Sequence, residues 1–116
     1  MEDERLWVLT ESRIRRLGIS TDYKGYFYLI NAVVICVHAG YRKADLYKEV
    51  YADIARSNDV SVECVEKCIR RCIEKSWDAD KENYSFLHRN AGRRPTNGEV
   101  IAFISSCIRL ESIGGF

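Results

Sequence analysis

Three cationic side chains, Lys67, Arg70 and Arg71, fall within about one turn of a single amphipathic segment. An Arg guanidinium can donate paired hydrogen bonds to O6 and N7 of guanine, and a Lys ammonium reaches the same acceptors with less directionality. Glu66 precedes them and can accept a hydrogen bond from a cytosine amino group or orient an adjacent Arg. These residue types at this spacing predict contacts with neighbouring bases in a DNA groove.

The residues just before this group have the pattern of a helix-turn-helix. Ala55 is small where two helices must approach closely, and Asn58 and Asp59 occupy a turn that favours residues tolerant of positive φ. Ser61 is placed to cap the next helix. The apolar side chains that follow repeat at helical spacing on the face opposite the cations. Such a helix fits the major groove of DNA.

A solvated helix face is the alternative interpretation of the same charges. Pairs such as Glu63–Lys67 and Glu66–Arg70 have the i,i+4 spacing of ordinary surface ion pairs. Periodicity alone favours this interpretation. The net charge of +1 counts mildly against non-specific nucleic-acid binding, although the local distribution of charge matters more than the sum.

A second basic pair, Arg93 and Arg94, precedes a predicted helix start. Thr96 and Glu99 have the spacing of a capping box, with Thr96 at the N-cap. Open amides at a helix start together with two guanidinium groups suit a DNA phosphate. An ordinary basic loop is equally compatible with these residues.

Five cysteines occur in the chain, and three of them, Cys64, Cys68 and Cys72, recur at steps of four. Structural zinc sites pair short Cys knuckles with distant ligands, a pattern that this spacing does not match. We therefore predict reduced thiols of a cytoplasmic protein and no metal site. Cys68 and Cys72 are interpreted as small packing residues, and Cys64 as lying near the exposed flank.

Catalysis and membrane insertion are both disfavoured by the sequence. His38 and His88 have no neighbouring Ser, Cys or Asp arrangement that indicates nucleophilic catalysis. The most apolar stretch, residues 26–37, contains Asn31 and is shorter than the roughly 20 residues that a membrane span needs. We expect no enzymatic activity, no cofactor and no membrane partner.

The length of 116 residues predicts one domain over residues 1–116, and the composition, with 47% hydrophobic and 30% charged residues, is that of a globular protein. The apolar spacing is helical and shows no period of two, so the predicted class is all-α, with five or six helices. The second helix is apolar nearly all round and is predicted to be the central one. Helices are predicted over residues 4–17, 23–39, 46–57 and 61–77, with a helical turn or two in 84–89 and a last helix from the capping box to about Glu111. Residues 78–83 are predicted to form a loop, and Ser20, Thr21 and Asp22 offer caps for the second helix.

Six short blocks occur in order along the chain: residues 24–29 (KGYFYL), 51–55 (YADIA), 65–70 (VEKCIR), 73–77 (IEKSW), 95–99 (PTNGE) and 109–111 (RLE). Together they resemble the C-terminal DNA-binding effector domain of stage 0 sporulation protein A, the response regulator that starts endospore formation. The resemblance runs from about Ile14 to Glu111, nearly the whole chain.

The resemblance implies a six-helix transcription regulator whose fourth helix enters the major groove of short operator boxes, often in tandem. Base-reading roles would fall on Glu66, Lys67, Arg70 and Arg71, and the phosphates would be held by Arg93, Arg94 and helix termini such as that capped by Ser61. The implied partners are double-stranded DNA, a second copy on tandem sites and the sigma factor of RNA polymerase.

The sequence departs from the family pattern in ways that affect function. Lys67 stands where the family usually has Arg, Arg71 where His is common, and Glu63 where a small polar or basic residue is usual. The segment between Trp77 and Pro95, which contributes to the sigma-factor contact in the family, is shorter here. No receiver domain precedes the first helix, which fits a stand-alone effector or an excised fragment.

An alternative function follows from the same departures. A protein-interaction module of this fold could bind a regulator or an RNA polymerase subunit instead of DNA. Glu63, the Lys67 substitution and the near-neutral net charge favour this alternative.

Overall fold

The protein is described by a computed structural model that covers residues 3–40, 45–87 and 92–114, without the side chains of 46, 47 and 112–114. Within these ranges the chain is helical and has no strand, so the predicted all-α class is confirmed. A π-helical turn, Leu46–Val50, leads directly into α3. The α-helices are α1 (Asp3–Arg15), α2 (Lys24–Ala39), α3 (Tyr51–Asn58), α4 (Val62–Ala79) and α5 (Asn97–Gly114), and a 3₁₀ segment (Lys81–Leu87) follows α4.

Helix α2 is the central element, as its apolar sequence predicted. It packs against α1, α4 and α5, and side chains around most of its circumference are buried. Its side chains at Tyr26, Leu29, Ile30 and Val33 have no measurable exposure. Burial of this apolar surface on three sides is the main source of stability in the bundle.

Helices α2 and α4 cross in close contact at Gly25. A Cβ atom on Gly25 would overlap the carbonyl group of Cys68, 2.7 Å from its carbon, and would lie 2.5 Å from the Sγ of Cys72. Both distances are shorter than any that real Cβ atoms adopt, so only glycine permits this separation of the two backbones. The prediction that Cys68 and Cys72 are packing residues where two helices come close is confirmed.

The predicted caps of α2 are wrong. The N-cap is Tyr23, with extended backbone and no side-chain hydrogen bond to the helix amides. The Ser20 hydroxyl instead accepts a hydrogen bond from the Asp22 amide at 3.1 Å, within the turn that precedes the helix. The turn therefore uses the side chain that the sequence pattern assigned to the helix start.

Residues 78–83 do not form the predicted loop. Helix α4 continues to Ala79, and Asp80 then begins the 3₁₀ segment by accepting hydrogen bonds from the Glu82 amide on its carboxylate and from the Asn83 amide on its carbonyl. Tyr84 is buried, and its hydroxyl shares a hydrogen bond with that of Ser76 on α4. This buried contact fixes the segment against α4. Residues 88 and 89 of the turn predicted there lie outside the described residues.

Two helix boundaries also differ from the predictions. The segment before Tyr51 is π-helical rather than the first part of one continuous α-helix, and α5 continues beyond Glu111 to Gly114. Apolar spacing over a five-residue segment is too short to distinguish a π-helical turn from an α-helical one, and it does not fix the residue at which a helix ends.

Candidate nucleic-acid interface

The helix-turn-helix is formed by α3, a three-residue turn and α4. Asp59 adopts a left-handed conformation (φ 54°, ψ 48°), and the Val60 amide donates to the Ala55 carbonyl at 3.0 Å. The Ser61 hydroxyl accepts a hydrogen bond from the Cys64 amide at 3.0 Å, so Ser61 is the N-cap of α4 as predicted. Asn58 remains helical, and its side-chain amide donates to the Ile54 carbonyl. The turn thus sets the direction in which α4 leaves α3.

Helix α4 has one buried and one cationic side. Val65, Ile69, Cys72, Ile73 and Ser76 are buried, as the periodicity predicted. Lys67, Arg70 and Arg71 are all exposed on the other side, and we call these three residues the cationic face. Within the described residues, neither Lys67 nor Arg71 forms an ion pair within 4 Å. The predicted cluster of cations is therefore present at the protein surface.

Arg70 is paired with carboxylates of its own helix. Its Nε donates to Glu66 Oε2 at 3.1 Å, and its Nη1 lies 3.9 Å from Glu74 Oε1. The Glu66–Arg70 pair is one that the solvated-face interpretation predicted. Exposed pairs of this kind contribute about 0.2–1 kcal/mol, so a phosphate or a guanine edge can displace them at little cost.

The basic connector before α5 lies beside α4. Arg94 Nη1 lies 3.1 Å from Glu74 Oε2, and the Asn97 side-chain amide donates to the Glu66 carbonyl at 3.1 Å. Arg93 binds Glu99 through both terminal nitrogens, at 3.2 and 3.0 Å. Arg94 therefore shares one edge of α4 with Glu66 and Glu74, whereas Arg93 is directed at the start of α5.

A family model described as "Sporulation initiation factor Spo0A C terminal" matches residues 10–108, which include the helix-turn-helix, the cationic face and most of α5. The chain belongs to this family. The family resemblance drawn from the six blocks is thereby confirmed. Domains of the Spo0A C-terminal family are DNA-binding effector domains of sporulation transcription regulators, which is a regulatory rather than an enzymatic family.

The predicted capping box before α5 has both of its hydrogen bonds. The Glu99 amide donates to Thr96 Oγ1 at 3.2 Å, and the Thr96 amide donates to Glu99 Oε1 at 2.9 Å. The bidentate contact with Arg93 and the hydrogen bond from the Thr96 amide lower the pKa of Glu99 to about 2. The predicted capping box is confirmed, and its carboxylate also fixes Arg93.

Lowering the pH is expected to reduce the free energy of unfolding of the wild-type protein more than that of the Glu99→Gln variant. The pKa of Glu99 falls from its ordinary 4.5 to about 2 on folding, so its stabilising effect is complete above pH 4.5 and is lost as pH falls towards 2. Because Arg93 is exposed, we expect a difference of only about 0.5–1 kcal/mol. Thermal unfolding between pH 2 and 7 measures it, with exposed Glu82→Gln as the matched control. Equal acid losses in wild type and Glu99→Gln would contradict this assignment.

Besides the Arg94–Glu74 ion pair, two contacts of the site connect residues far apart in sequence and were not predicted. One is the Asn97–Glu66 hydrogen bond. The other lies on the α2 side of α4, where Lys75 Nζ donates to the Tyr23 hydroxyl at 3.1 Å and lies 4.5 Å from the centre of its ring. No sequence signal pointed to either, because both depend on how the helices pack.

Three further predictions concern the cysteine thiols, metal sites and membrane spans. Cys64 and Cys68 are partly buried with their sulfurs 4.0 Å apart, and burial is the main cause that raises the pKa of the Cys68 thiol. In the described ranges no group of three His, Cys, Asp or Glu side chains is close enough to share a metal ion. None of the helices described there combines the length and apolar character needed to cross a bilayer.

Proposed function

We propose that this protein is a sequence-specific DNA-binding transcription regulator in which α4 enters the major groove. One observation supports this most directly: the cationic face is exposed on a capped helix of a helix-turn-helix, in a chain of the Spo0A C-terminal family. An α-helix with exposed cations matches the width of the groove and its acceptor groups.

In this proposal the cationic face reads base edges. Arg70 and Arg71 have guanidinium groups suited to guanine O6 and N7, and Lys67 reaches the same acceptors as a single charged group. Glu66 orients Arg70 through its hydrogen bond to Nε, which leaves the two terminal nitrogens of Arg70 to turn towards a base. Ser61 accepts a backbone hydrogen bond, so its hydroxyl hydrogen is left to donate to a phosphate.

The phosphate contacts are assigned to the connector before α5. Arg94 would exchange Glu74 for a phosphate, since exposed ion pairs are readily exchanged. Arg93 would exchange Glu99 for a phosphate in the same way, near the start of α5.

The remaining parts of the proposal concern regulation. One helix reads only a short run of bases, so we propose that two copies bind adjacent boxes in cytoplasmic DNA. DNA binding by these 116 residues would not require a phosphorylated aspartate on a receiver domain. A sigma factor of RNA polymerase is a further candidate partner, through the Lys81–Leu87 segment that follows α4.

The salt dependence of binding tests the proposal. A duplex is first selected from a randomised pool by the protein itself, and Kd is then measured by gel retardation at increasing salt. We expect log Kd to rise steeply with log salt, by about 0.9 for each phosphate neutralised. If the pool yields no enriched sequence, or if the affinity does not change with salt, the DNA-binding proposal fails.

The protein-interaction module remains a second candidate because of the ion pairs. Arg70, Arg93 and Arg94 are each already paired with a carboxylate, which reduces the positive field that a DNA phosphate would meet. A surface of alternating charge of this kind also suits a protein partner. In that case the protein would retard no duplex at any salt concentration.

A further inference from the structure

A cavity of about 340 Å³ lies between the start of α2 and the C-terminal half of α4. Three cationic side chains line it: Lys24 from α2, and Arg71 and Lys75 from α4. Asp22 is the one carboxylate in its wall. The cavity thus brings three positive charges together with a single negative one, and none of the sequence patterns indicated this.

Nothing in the described part of the protein neutralises these cations directly. Lys24 and Arg71 form no ion pair within 4 Å there, and Lys75 is held by the hydroxyl and ring of Tyr23 rather than by a carboxylate. Burial and the neighbouring Cys64 raise the pKa of the Cys68 thiol in the cavity wall, whereas the charges of Lys24 and Arg71 act to lower it. Both cations therefore act electrostatically on the same point of the wall.

The cavity adjoins the surface that α4 is proposed to turn towards DNA, because Arg71 belongs both to the cationic face and to the cavity wall. Glu66, which contacts Asn97 of the α5 start, and Lys75, which contacts Tyr23, are nine residues apart. At 3.6 residues per turn this separation places them on opposite sides of the helix, about 180° apart. The start of α5 and the cavity thus adjoin opposite edges of α4, and the Arg94 side chain reaches Glu74 on the exposed side between them.

We propose that this cavity binds a phosphate group, supplied by the backbone of the same duplex that α4 reads. A helix in the major groove lies between two sugar-phosphate backbones, and the α5 start and the cavity lie at the two edges of α4 that would face them. Lys24 and Lys75 supply the charged contacts, Arg71 adds to the positive potential while its guanidinium reads a base, and the amides of Lys24 and Gly25, which the Tyr23 side chain does not cap, supply additional donors. The claim that DNA supplies the phosphate rests on the proposed function, whereas the claim that the cavity binds phosphate does not.

Charge-removing variants test the proposal in two arms. In the DNA arm, the slope of log Kd against log salt concentration is measured for duplex binding by wild type, Lys24→Gln and Lys24→Gln/Lys75→Gln. Arg5→Gln on α1, which packs on α2 and α5, removes the same charge from an exposed position and is the matched control. We expect the slope to fall by about 0.9 for Lys24→Gln, to fall further for the double variant and to stay unchanged for Arg5→Gln.

The second arm measures phosphate binding without DNA. Inorganic phosphate is titrated into the wild-type protein and Lys24→Gln, and the amide resonance of Gly25 is followed by NMR. A slope that falls in Lys24→Gln but not in Arg5→Gln supports a cavity that binds a phosphate of the duplex. A Gly25 shift that disappears in Lys24→Gln while the DNA slope is unchanged supports the phosphate site with a free phosphate as source.

The remaining outcomes decide against one proposal or the other. If neither the slope nor the Gly25 resonance depends on Lys24, the cavity does not bind phosphate, even when operator binding by α4 is intact. If wild type binds no duplex at all, the proposed function fails, and the phosphate titration alone then decides the cavity. Thermal unfolding of each variant confirms that the exposed substitutions leave the domain folded.

Discussion

Gly25→Ala is expected to lower the free energy of unfolding by about 3 kcal/mol, at the upper end of the effects of overpacking a close contact. The added methyl group would overlap the carbonyl of Cys68, which is backbone and cannot rotate away, and would press on the buried Sγ of Cys72. Relief requires α2 and α4 to separate, which loosens the central contact of the bundle. Thermal unfolding should show a loss of about 10 °C in Tm.

Gly92→Ala is the control for this experiment. A Cβ atom at Gly92 meets no atom within 4 Å, so the same chemical change there should leave Tm almost unaltered. Alanine also favours a helix over glycine, which would stabilise α2 by up to about 1 kcal/mol if space allowed. A Gly25→Ala protein as stable as wild type would therefore show that the two helices are further apart than described.

Arg70→Ala is expected to weaken binding to the selected operator by about 1–3 kcal/mol and to relax the preference for one base pair, with little effect on folding. Arg70 is exposed, and its pairs with Glu66 and Glu74 contribute little to stability. Gel retardation on the operator and on single-base variants measures both effects. Unchanged affinity for the operator would show that Arg70 does not read bases.

Glu74→Gln provides a test with the opposite sign. Its carboxylate is shared by Arg70 and Arg94, and it adds a negative charge next to the phosphate that Arg94 is proposed to contact. Removing that charge while keeping the shape should strengthen duplex binding several-fold, since it frees Arg94, removes the longer of the two ion pairs of Arg70 and reduces repulsion. If the protein is an interaction module instead, Glu74→Gln gains no affinity for DNA.

The parts of the fold that the sequence predicted depend on residues close to one another in the chain. The Ser61 cap and the Thr96–Glu99 box each join residues three positions apart, and the buried side of α4 follows directly from helical periodicity. The central position of α2 was predictable because its apolar residues surround the helix.

The rest depends on contacts between distant segments. Arg94 lies 20 residues from Glu74, and Tyr23 lies 52 residues from Lys75, so neither pair has a local signature. The cations of α4 were correctly predicted to be exposed, but the ion pair of Arg94 with Glu74 and the cavity beside Arg71 follow only from the packing of α2 and the α5 connector on α4. The 3₁₀ segment likewise depends on the burial of Tyr84 against Ser76.

The hydrogen bond from the Asn97 side chain to the Glu66 carbonyl has a consequence for operator length. It ties the beginning of α5 to the N-terminal half of α4, so the distance between Arg94 and Arg70 is set by the folded protein rather than by a flexible loop. Because this separation is rigid, it fits only one spacing along the DNA. Inserting or deleting a single base step between the base that is read and the phosphate that is bound should therefore cost one of the two contacts.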